Sequence, residues 1–294
     1  MVLVVGATGL LGSEICEKLR SAGKHVRAMV RHTSSPEKVA ALRAMGAETI
    51  VADLRDPASL ARACEMVSSI VATASSTFSR QEGDSIESVD LAGYLNLIEA
   101  AAKARVSQFV YTSIPQSMNY DCPLLRAKRT VERQLASSGV PYTVLAANFF
   151  MEIWLSPALA FDYKNVRAKV YGTGERPVAW ISYRDVAALA VVALDANSVR
   201  NRILTIGGPE NLTPLEVVDV FTQVSGRPFE ITHVLKAELQ TQYDRASDPL
   251  GKSFAALMLE YAAGCPMDIR ETLSLLPRQL TTVRNYALEV TGRA

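Results

Sequence analysis

The chain is expected to fold as a doubly wound α/β structure, a parallel sheet covered by helices on both faces, with a smaller, mostly helical C-terminal lobe. Three observations predict this. Four apolar residues, Val2–Val5, run straight into glycines at positions 6, 9 and 12 and then into a helical pattern. Strand and helix patterns go on alternating through the first half of the 294 residues. Beyond that point the alternation loses its regularity. Repeated strand–helix units with right-handed crossovers build such a sheet.

The elements justify the reading in order. Residues 2–5 are a short apolar run of the kind buried in a parallel sheet. The turn after it is spaced G-x-x-G-x-x-G, not G-x-G-x-x-G. Gly6 permits a tight turn, Gly9 lets phosphates approach the backbone, and Gly12 lets helix and strand pack closely. Such a turn gathers backbone N–H groups at a helix N-terminus, which suits the pyrophosphate of a dinucleotide, the Rossmann arrangement. Gly6, Thr8, Gly9, Leu10, Leu11 and Gly12 are its expected cofactor contacts.

Residues 25–30 read as the second strand, ending at Arg31. An acidic residue about 20 positions past the glycines would accept bonds from the ribose 2′-hydroxyl of NAD. Here Arg31 is followed by His32, Thr33, Ser34 and Ser35, with no carboxylate until Glu37. A guanidinium grips a 2′-phosphate through charge-assisted bonds. The expected cofactor is NADP(H).

A helix over 36–45 and a strand over 48–52 follow, then Asp56-Pro57 opening a helix with proline at its first position. Residues 68–73 read as a fourth strand, and Asp84-x-x-Glu87 as a capping box for a helix running to about Ala104. A strand over 108–112, a helix over 123–138 and a strand over 142–146 complete the first half. In the second half, Ser182-x-x-Asp185 starts an alanine-rich helix and Arg202–Ile206 reads as a strand. Thr213-Pro214-x-Glu216 is another capping box, 229–234 a strand, and the chain from Lys236 onward mostly helical. The expected division is an NADP-binding domain over 1–150 and a substrate lobe over 151–294, with about 182–206 returning to the first. The lobe is expected over the carboxyl ends of the strands, where ligands of open α/β sheets lie.

Composition narrows the function. The chain is 49% hydrophobic and 21% charged with net charge +1, which is ordinary for a globular enzyme. Near-neutral charge argues against nucleic acid as a partner, since phosphate contacts need clustered Lys and Arg. The cluster Arg126, Lys128, Arg129, Arg133 is short and reads as a solvated helix face. Cysteines 16, 64, 122 and 265 show no metal spacing and suit reduced thiols in the cytoplasm. No apolar run approaches the roughly 20 residues of a membrane span, and Met1-Val2 leads into the first strand without a signal peptide.

Strand ends supply the remaining candidates. Asp53, with Leu54, follows the third strand and is placed to meet the adenine, or to cap a helix. Thr73, Ala74 and Ser75 end the fourth strand, where small residues let a ribose approach. Ser113 follows the fifth as a donor to a substrate oxygen or a simple turn hydroxyl. Ala147, Asn148 and Phe149 follow the sixth and would line a nicotinamide, with Asn148 bonding its carboxamide. Lys128 sits on the helix after the fifth strand, where an inward ammonium could hold ribose hydroxyls.

Gly-Ala-Thr-Gly-Leu-Leu-Gly12, Ala-Asp53-Leu, Phe-Val-Tyr-Thr-Ser113, Leu-Leu-Arg-Ala-Lys128 with Val-Glu-Arg-Gln-Leu, Asn148-Phe-Phe-Met-Glu152 and Gly207-Gly-Pro-Glu-Asn-Leu-Thr213 together resemble the atypical short-chain dehydrogenase/reductases, most closely the NmrA-like family. In that superfamily a Tyr-x-x-x-Lys pair transfers a proton, but the position four before Lys128 is Leu124. The resemblance keeps Lys128 in the family lysine's place and leaves the proton donor open. Tyr120 is the nearest candidate, and Lys128 itself can stabilise charge.

The resemblance implies an NADPH-dependent reductase passing hydride to a planar, apolar acceptor such as a quinone, azo compound or conjugated enone. Phe149, Phe150, Trp154, Tyr163, Tyr171 and Met258 are candidate lining for such an acceptor, or core. The alternative is an NAD(P)-binding sensor or regulator, since some NmrA-like proteins bind NAD(P) and a protein partner without turnover, and the absent Tyr-x-x-x-Lys pair is compatible with that. Sugar-nucleotide epimerisation is a weaker third reading, because that chemistry generally needs the tyrosine. A monomer or homodimer is usual for the resembling group.

Overall fold

A computed structural model describes residues 1–77 and 81–293. The elements run β1 (Val2–Val5), α1 (Leu10–Ser21), β2 (Val26–Val30), α2 (Pro36–Ala44), β3 (Glu48–Val51), α3 (Pro57–Ala63) and β4 (Ser69–Ala72). A π-helical segment, Ile86–Gly93, leads into α4 (Tyr94–Lys103), then β5 (Gln108–Ser113), α5 (Pro123–Ser137), β6 (Tyr142–Ala147) and α6 (Met151–Trp154). After these come β7 (Phe161–Asp162), β8 (Arg167–Tyr171), β9 (Val178–Ala179), α7 (Tyr183–Ala193), β10 (Arg202–Ile206), β11 (Asn211–Leu212), α8 (Pro214–Ser225) and β12 (Glu230–Val234). Four helices follow: α9 (Lys236–Arg245), α10 (Pro249–Ala263), α11 (Arg270–Leu275) and α12 (Val283–Val290).

The chain divides into two compact units. The first comprises Met1–Ser113, Pro123–Leu145 and Val186–Leu204, the second Ile114–Cys122, Ala146–Asp185 and Thr205–Ala294. The boundary therefore falls inside β6, and the stretch from 114 to 122 belongs to the second unit.

Seven strands form the central sheet in the order β10-β6-β5-β4-β1-β2-β3. β1 pairs in parallel with β2 on one side and β4 on the other, with Val2 opposite both Val26 and Ser69. Strand order thus reverses at β1. The crevice at the carboxyl end of such a switch point is where doubly wound sheets hold ligands. Leu3, Val4 and Val5 are fully buried, as an interior parallel strand requires. Leu3 and Val5 belong to a core with Ile70, Leu97, Phe109, Tyr111, Leu135 and Val144 on one face of the sheet, where Leu3, Ile70 and Phe109 lie in register on neighbouring strands.

One element starts differently from its expected form. The helix after β4 is capped by Ser85 with Ser88, not by Asp84 with Glu87, and its first turns are π-helical. Asp84 is unavailable as a cap because its carboxylate is 1% exposed and holds Arg31 at 2.7 Å and the Gln81 N–H at 2.9 Å. Proline openings at α2 and α3 and the Thr213/Glu216 capping box of α8 form where the sequence placed them.

The second unit contains a three-stranded sheet of which the sequence reading placed only β12: β8 pairs antiparallel with β7 and parallel with β12. β7, two residues long, is too short to show an alternation, whereas β8 alternates exposed Arg167 and Lys169 with buried Ala168 and Val170 and was missed. Phe149, Trp154, Trp180 and Tyr261 pack edge-on and stacked at centroid distances of 4.4–6.4 Å in this unit's core. Among the described residues no helix is long and apolar enough to cross a membrane.

Candidate functional site

The turn between β1 and α1 is built as a cradle. Gly6 has φ +86, a backbone conformation that side chains disfavour. A Cβ there would meet the Ala74 nitrogen and the Thr73 hydroxyl at 2.8 Å each, and one on Gly12 would lie 2.1 Å from the Gly6 carbonyl oxygen. Backbone runs too close for any side chain at either place. Gly9 is the N-cap of α1, and no side chain satisfies the first helical N–H groups. Gly9 donates its own N–H to the Gly6 carbonyl at 2.9 Å, and Leu10, the first helical residue, is exposed, whereas Leu11 and Gly12 are buried beneath it. The Thr8 carbonyl accepts a bond from Lys38 on α2 at 3.1 Å.

Cationic side chains stand at the ends of the neighbouring strands. Arg31, after β2, donates from Nη1 to Asp84, while its backbone N–H donates to Ser34 Oγ at 2.9 Å. Arg55, after β3, grips both oxygens of Asp53 and lies 3.7 Å from the other Asp84 oxygen. One buried carboxylate therefore draws two guanidiniums together. The Arg55 hydrogen bond holds the Asp53 carboxyl below its usual range, and Leu54 packs in the core where a Cβ on Gly93 would meet it at 2.7 Å. A glycine cradle that a Cβ would fill, with cations beyond it, fits a dinucleotide bearing a 2′-phosphate. Lys38 and Arg55 escaped the sequence reading. Only their spacing to Thr8 and Asp53 in the fold recruits them.

Thr73, Ala74 and Ser75 leave β4 directly against this cradle. Thr73 donates to the Val5 carbonyl at 3.2 Å, and Ala74 accepts from the Tyr94 hydroxyl at 2.7 Å. Ser75 pairs with Thr77.

Lys128 points inward, and its helix face is not a solvated one at this position. The side chain is 7% exposed. Its Nζ donates to the Thr112 carbonyl at 3.4 Å and lies 5.6 Å and 5.0 Å from the ring centroids of Tyr94 and Tyr111. Asp90, fully buried on the π-helical segment, faces it with Oδ1 at 4.0 Å. Burial pulls the Lys128 ammonium below its ordinary range, opposed by Asp90 and then Glu132. Leu124, four residues earlier, is core.

Sequence reasoning missed Asp90, although a signal was present. Ile86, Val89, Asp90 and Gly93 form the buried face of their helix, so an acid occupies a position where the spacing calls for an apolar residue.

Ser113 does not present its hydroxyl outward: it donates to Glu132, which also accepts from Arg129 at 2.8 Å. Tyr120 lies in the second unit, its backbone N–H held by Glu260 at 2.7 Å and its ring edge-on to Tyr243. Asn148 is in that unit as well. Its Nδ2 donates to the Cys265 carbonyl at 2.7 Å, and its buried Oδ1 has no partner among the described residues. Ala147 and Phe149 are buried, and Phe149 packs on Trp154 at 4.4 Å as core. Met258 and Trp154 are buried too, Tyr163 stacks on Phe221, and Tyr171 meets Tyr261 edge-on. Glu152 of the resembling Asn-Phe-Phe-Met-Glu stretch accepts from the Ser182 hydroxyl and the Tyr183 N–H, fastening the start of α7. Among the described residues no group of His, Cys, Asp and Glu could hold a metal.

Comparison with known proteins follows the same lines. The photosystem II assembly factor Ycf39 of Synechocystis sp. is 30% identical over 99% of this chain and 91% of its own length. The NAD(P)H azoreductase of Xenophilus azovorans is 30% identical over 100% and 93%. The NADPH-dependent quinone oxidoreductase QOR2 of Escherichia coli, solved with NADPH, shares the fold with a TM-score of 0.80 at 24% identity, covering 99% of this chain and all of that one. The NmrA-like family matches residues 1–287. With nearly the whole chain accounted for, this protein belongs to the NmrA-like family.

Proposed function

We infer that the protein is an NADPH-dependent reductase that passes hydride to a planar, apolar acceptor such as a quinone, azo compound or conjugated enone. The observation that carries this reading is the open cradle at Gly6–Gly12 backed by Arg31, Ser34 and Lys38 in the same unit. It is supported by an azoreductase relative aligned over the whole chain.

When bound, the nicotinamide supplies the hydride, and the protein's part is binding, orientation and electrostatics. The first N–H groups of α1, which no side chain caps, take the pyrophosphate, and Arg31 takes the 2′-phosphate. Asp53 flanks the adenine, and Thr73–Ser75 leave room for a ribose. Lys128 directs a positive charge toward the nicotinamide ribose and favours negative charge developing on a reduced acceptor. Acceptors that need little acid catalysis suit a chain with Leu124 in place of the superfamily's tyrosine.

A second reading, binding of NADP(H) without turnover in a regulatory or assembly role, is favoured by one observation: an assembly factor is as similar to this chain as the azoreductase is. Loss of NADPH absorbance on addition of quinones, azo dyes and enones to the purified protein decides between them. Acceptor-dependent oxidation supports the reductase. Tight NADP(H) binding with no oxidation across the panel supports the second reading.

A further inference from the structure

Asp90 has no counterpart in the roles assigned so far, yet it is among the most deliberate placements in the first unit. It is fully buried on the π-helical segment that precedes α4. Irregular helical turns of this kind are rare and concentrate at functional positions. One carboxylate oxygen, Oδ2, accepts both the backbone N–H and the hydroxyl of Ser76, at 3.0 Å and 2.6 Å. The other, Oδ1, has no hydrogen-bond partner among the described residues and faces Lys128 Nζ across 4.0 Å. Ser76 thus fixes the carboxylate so that a bare oxygen is aimed at the lysine.

The surroundings of Lys128 make that aim consequential. On β5 it meets the ring of Tyr111 and the Thr112 carbonyl, and on α4 the ring of Tyr94. On its own helix Glu132 contributes a weaker negative charge, and that carboxylate is already engaged by Ser113 and Arg129. Aromatic faces and one long hydrogen bond do not replace the hydration shell of an ammonium. A buried cation persists when an opposite charge is held close to it. Asp90 is the carboxylate in that place.

We propose that Asp90 is a positioning residue that keeps Lys128 ionised inside the first unit, held in register by Ser76, and so sets the pH range over which Lys128 serves cofactor and acceptor. The ionisation of Lys128 is a property of the ligand-free chain. The consequence for turnover rests on the reductase reading above.

The direction follows from the balance at Lys128. Burial favours the neutral amine and Asp90 opposes it, so removing the Asp90 charge leaves burial unopposed apart from Glu132. The test uses the full chain labelled with lysine carrying 13C at Cε, the Lys128 signal being assigned by its loss in Lys128→Met. In Asp90→Asn the Lys128 signal is expected to titrate at least about one pH unit lower than in wild type, a tenfold change in ionisation constant. Asp90→Glu, which restores the charge, is expected to recover most of the shift. An unchanged titration in Asp90→Asn overturns the proposal.

Should Asp90→Asn fail to fold, Ser76→Ala approaches the same pair through the hydroxyl that holds the carboxylate in register. In Ser76→Ala the Lys128 signal is expected to titrate at lower pH than in wild type. An unchanged Lys128 titration there overturns the proposal. In the activity arm, the alkaline limb of NADPH oxidation moves to lower pH in Asp90→Asn and returns in Asp90→Glu. If wild type fails to oxidise NADPH with any acceptor of the panel, the reductase reading fails while the two titrations still judge Asp90.

Discussion

Replacing Arg31 by alanine separates the two jobs this residue holds. Its guanidinium is 24% exposed and spends Nη1 on Asp84 at 2.7 Å. A bond from a guanidinium to a phosphate contributes about 1.5–3 kcal/mol, so NADPH affinity should fall roughly ten- to 150-fold. NADH lacks the 2′-phosphate, and its affinity should scarcely change. The second effect is on the fold. Stranding a buried charge outright costs about 3–5 kcal/mol, but Asp84 keeps the Gln81 N–H and a guanidinium of Arg55 at 3.7 Å. The stability loss should therefore be smaller, about 1–2 kcal/mol. Fluorescence titrations with NADPH and NADH, alongside urea unfolding of the ligand-free chain, read the two effects independently. Equal losses of both cofactors refute the 2′-phosphate role, because they report damage to the whole cradle.

Three further expectations follow from the structure. Gly12→Ala places a carbon 2.1 Å from the Gly6 carbonyl oxygen, so the turn must open. Overpacking of that kind costs about 1–3 kcal/mol, and thermal unfolding should show the loss together with weakened binding of both NADPH and NADH; a variant that melts and binds like wild type would contradict the cradle. Asp53→Asn bears on pH: the Arg55 hydrogen bond lowers the folded carboxyl below its ordinary 3.8. Its stabilising contribution is thus present above pH 3.8 and lost as pH falls through the lower folded value. Wild type and variant should differ slightly at pH 7 and converge in acid, and a constant gap in unfolding midpoints down to pH 2 would exclude this linkage. Finally, burial pushes Cys16 up to about 12 and Cys64 up to about 11, and all four cysteines are buried. A disulfide reagent at pH 8 should find almost no thiolate until denaturant is added; rapid labelling of the folded chain would show the thiols more accessible than the structure allows.

The parts of the fold legible in the sequence were those fixed by local chemistry. Gly6 and Gly12 announce a turn because backbone conformation at one and close approach at both leave no room for a side chain. Proline openings at Pro36, Pro57 and Pro214 mark helix starts because a missing N–H costs nothing there. Arg31 was singled out because one charge at the end of β2 is expected to distinguish two cofactors, and the Arg31→Ala titrations test that role. Asp84 misled, since an acid three residues before a glutamate has the form of a capping box, and only tertiary contact shows it bound to Arg31. The same holds for Ser113, whose hydroxyl turns to Glu132 across the fold.

Lys128 was marked by resemblance, not by spacing, since a lysine in Arg-Ala-Lys-Arg reads equally as a surface charge. Its orientation depends on Tyr94, Tyr111 and Asp90, which arrive from three other segments of the chain. The short strands β7 and β9 were invisible because two residues carry no period. The aromatic residues around Phe149 could not be sorted between lining and core, and packing distances place them together in the second unit's core.

The most direct test of the account follows NADPH absorbance with purified protein against quinones, azo dyes and enones, with NADH in parallel. The account predicts acceptor-dependent loss of NADPH, much faster than of NADH. Tight binding of NADP(H) with no oxidation by any acceptor, or equal rates with the two cofactors, would contradict it.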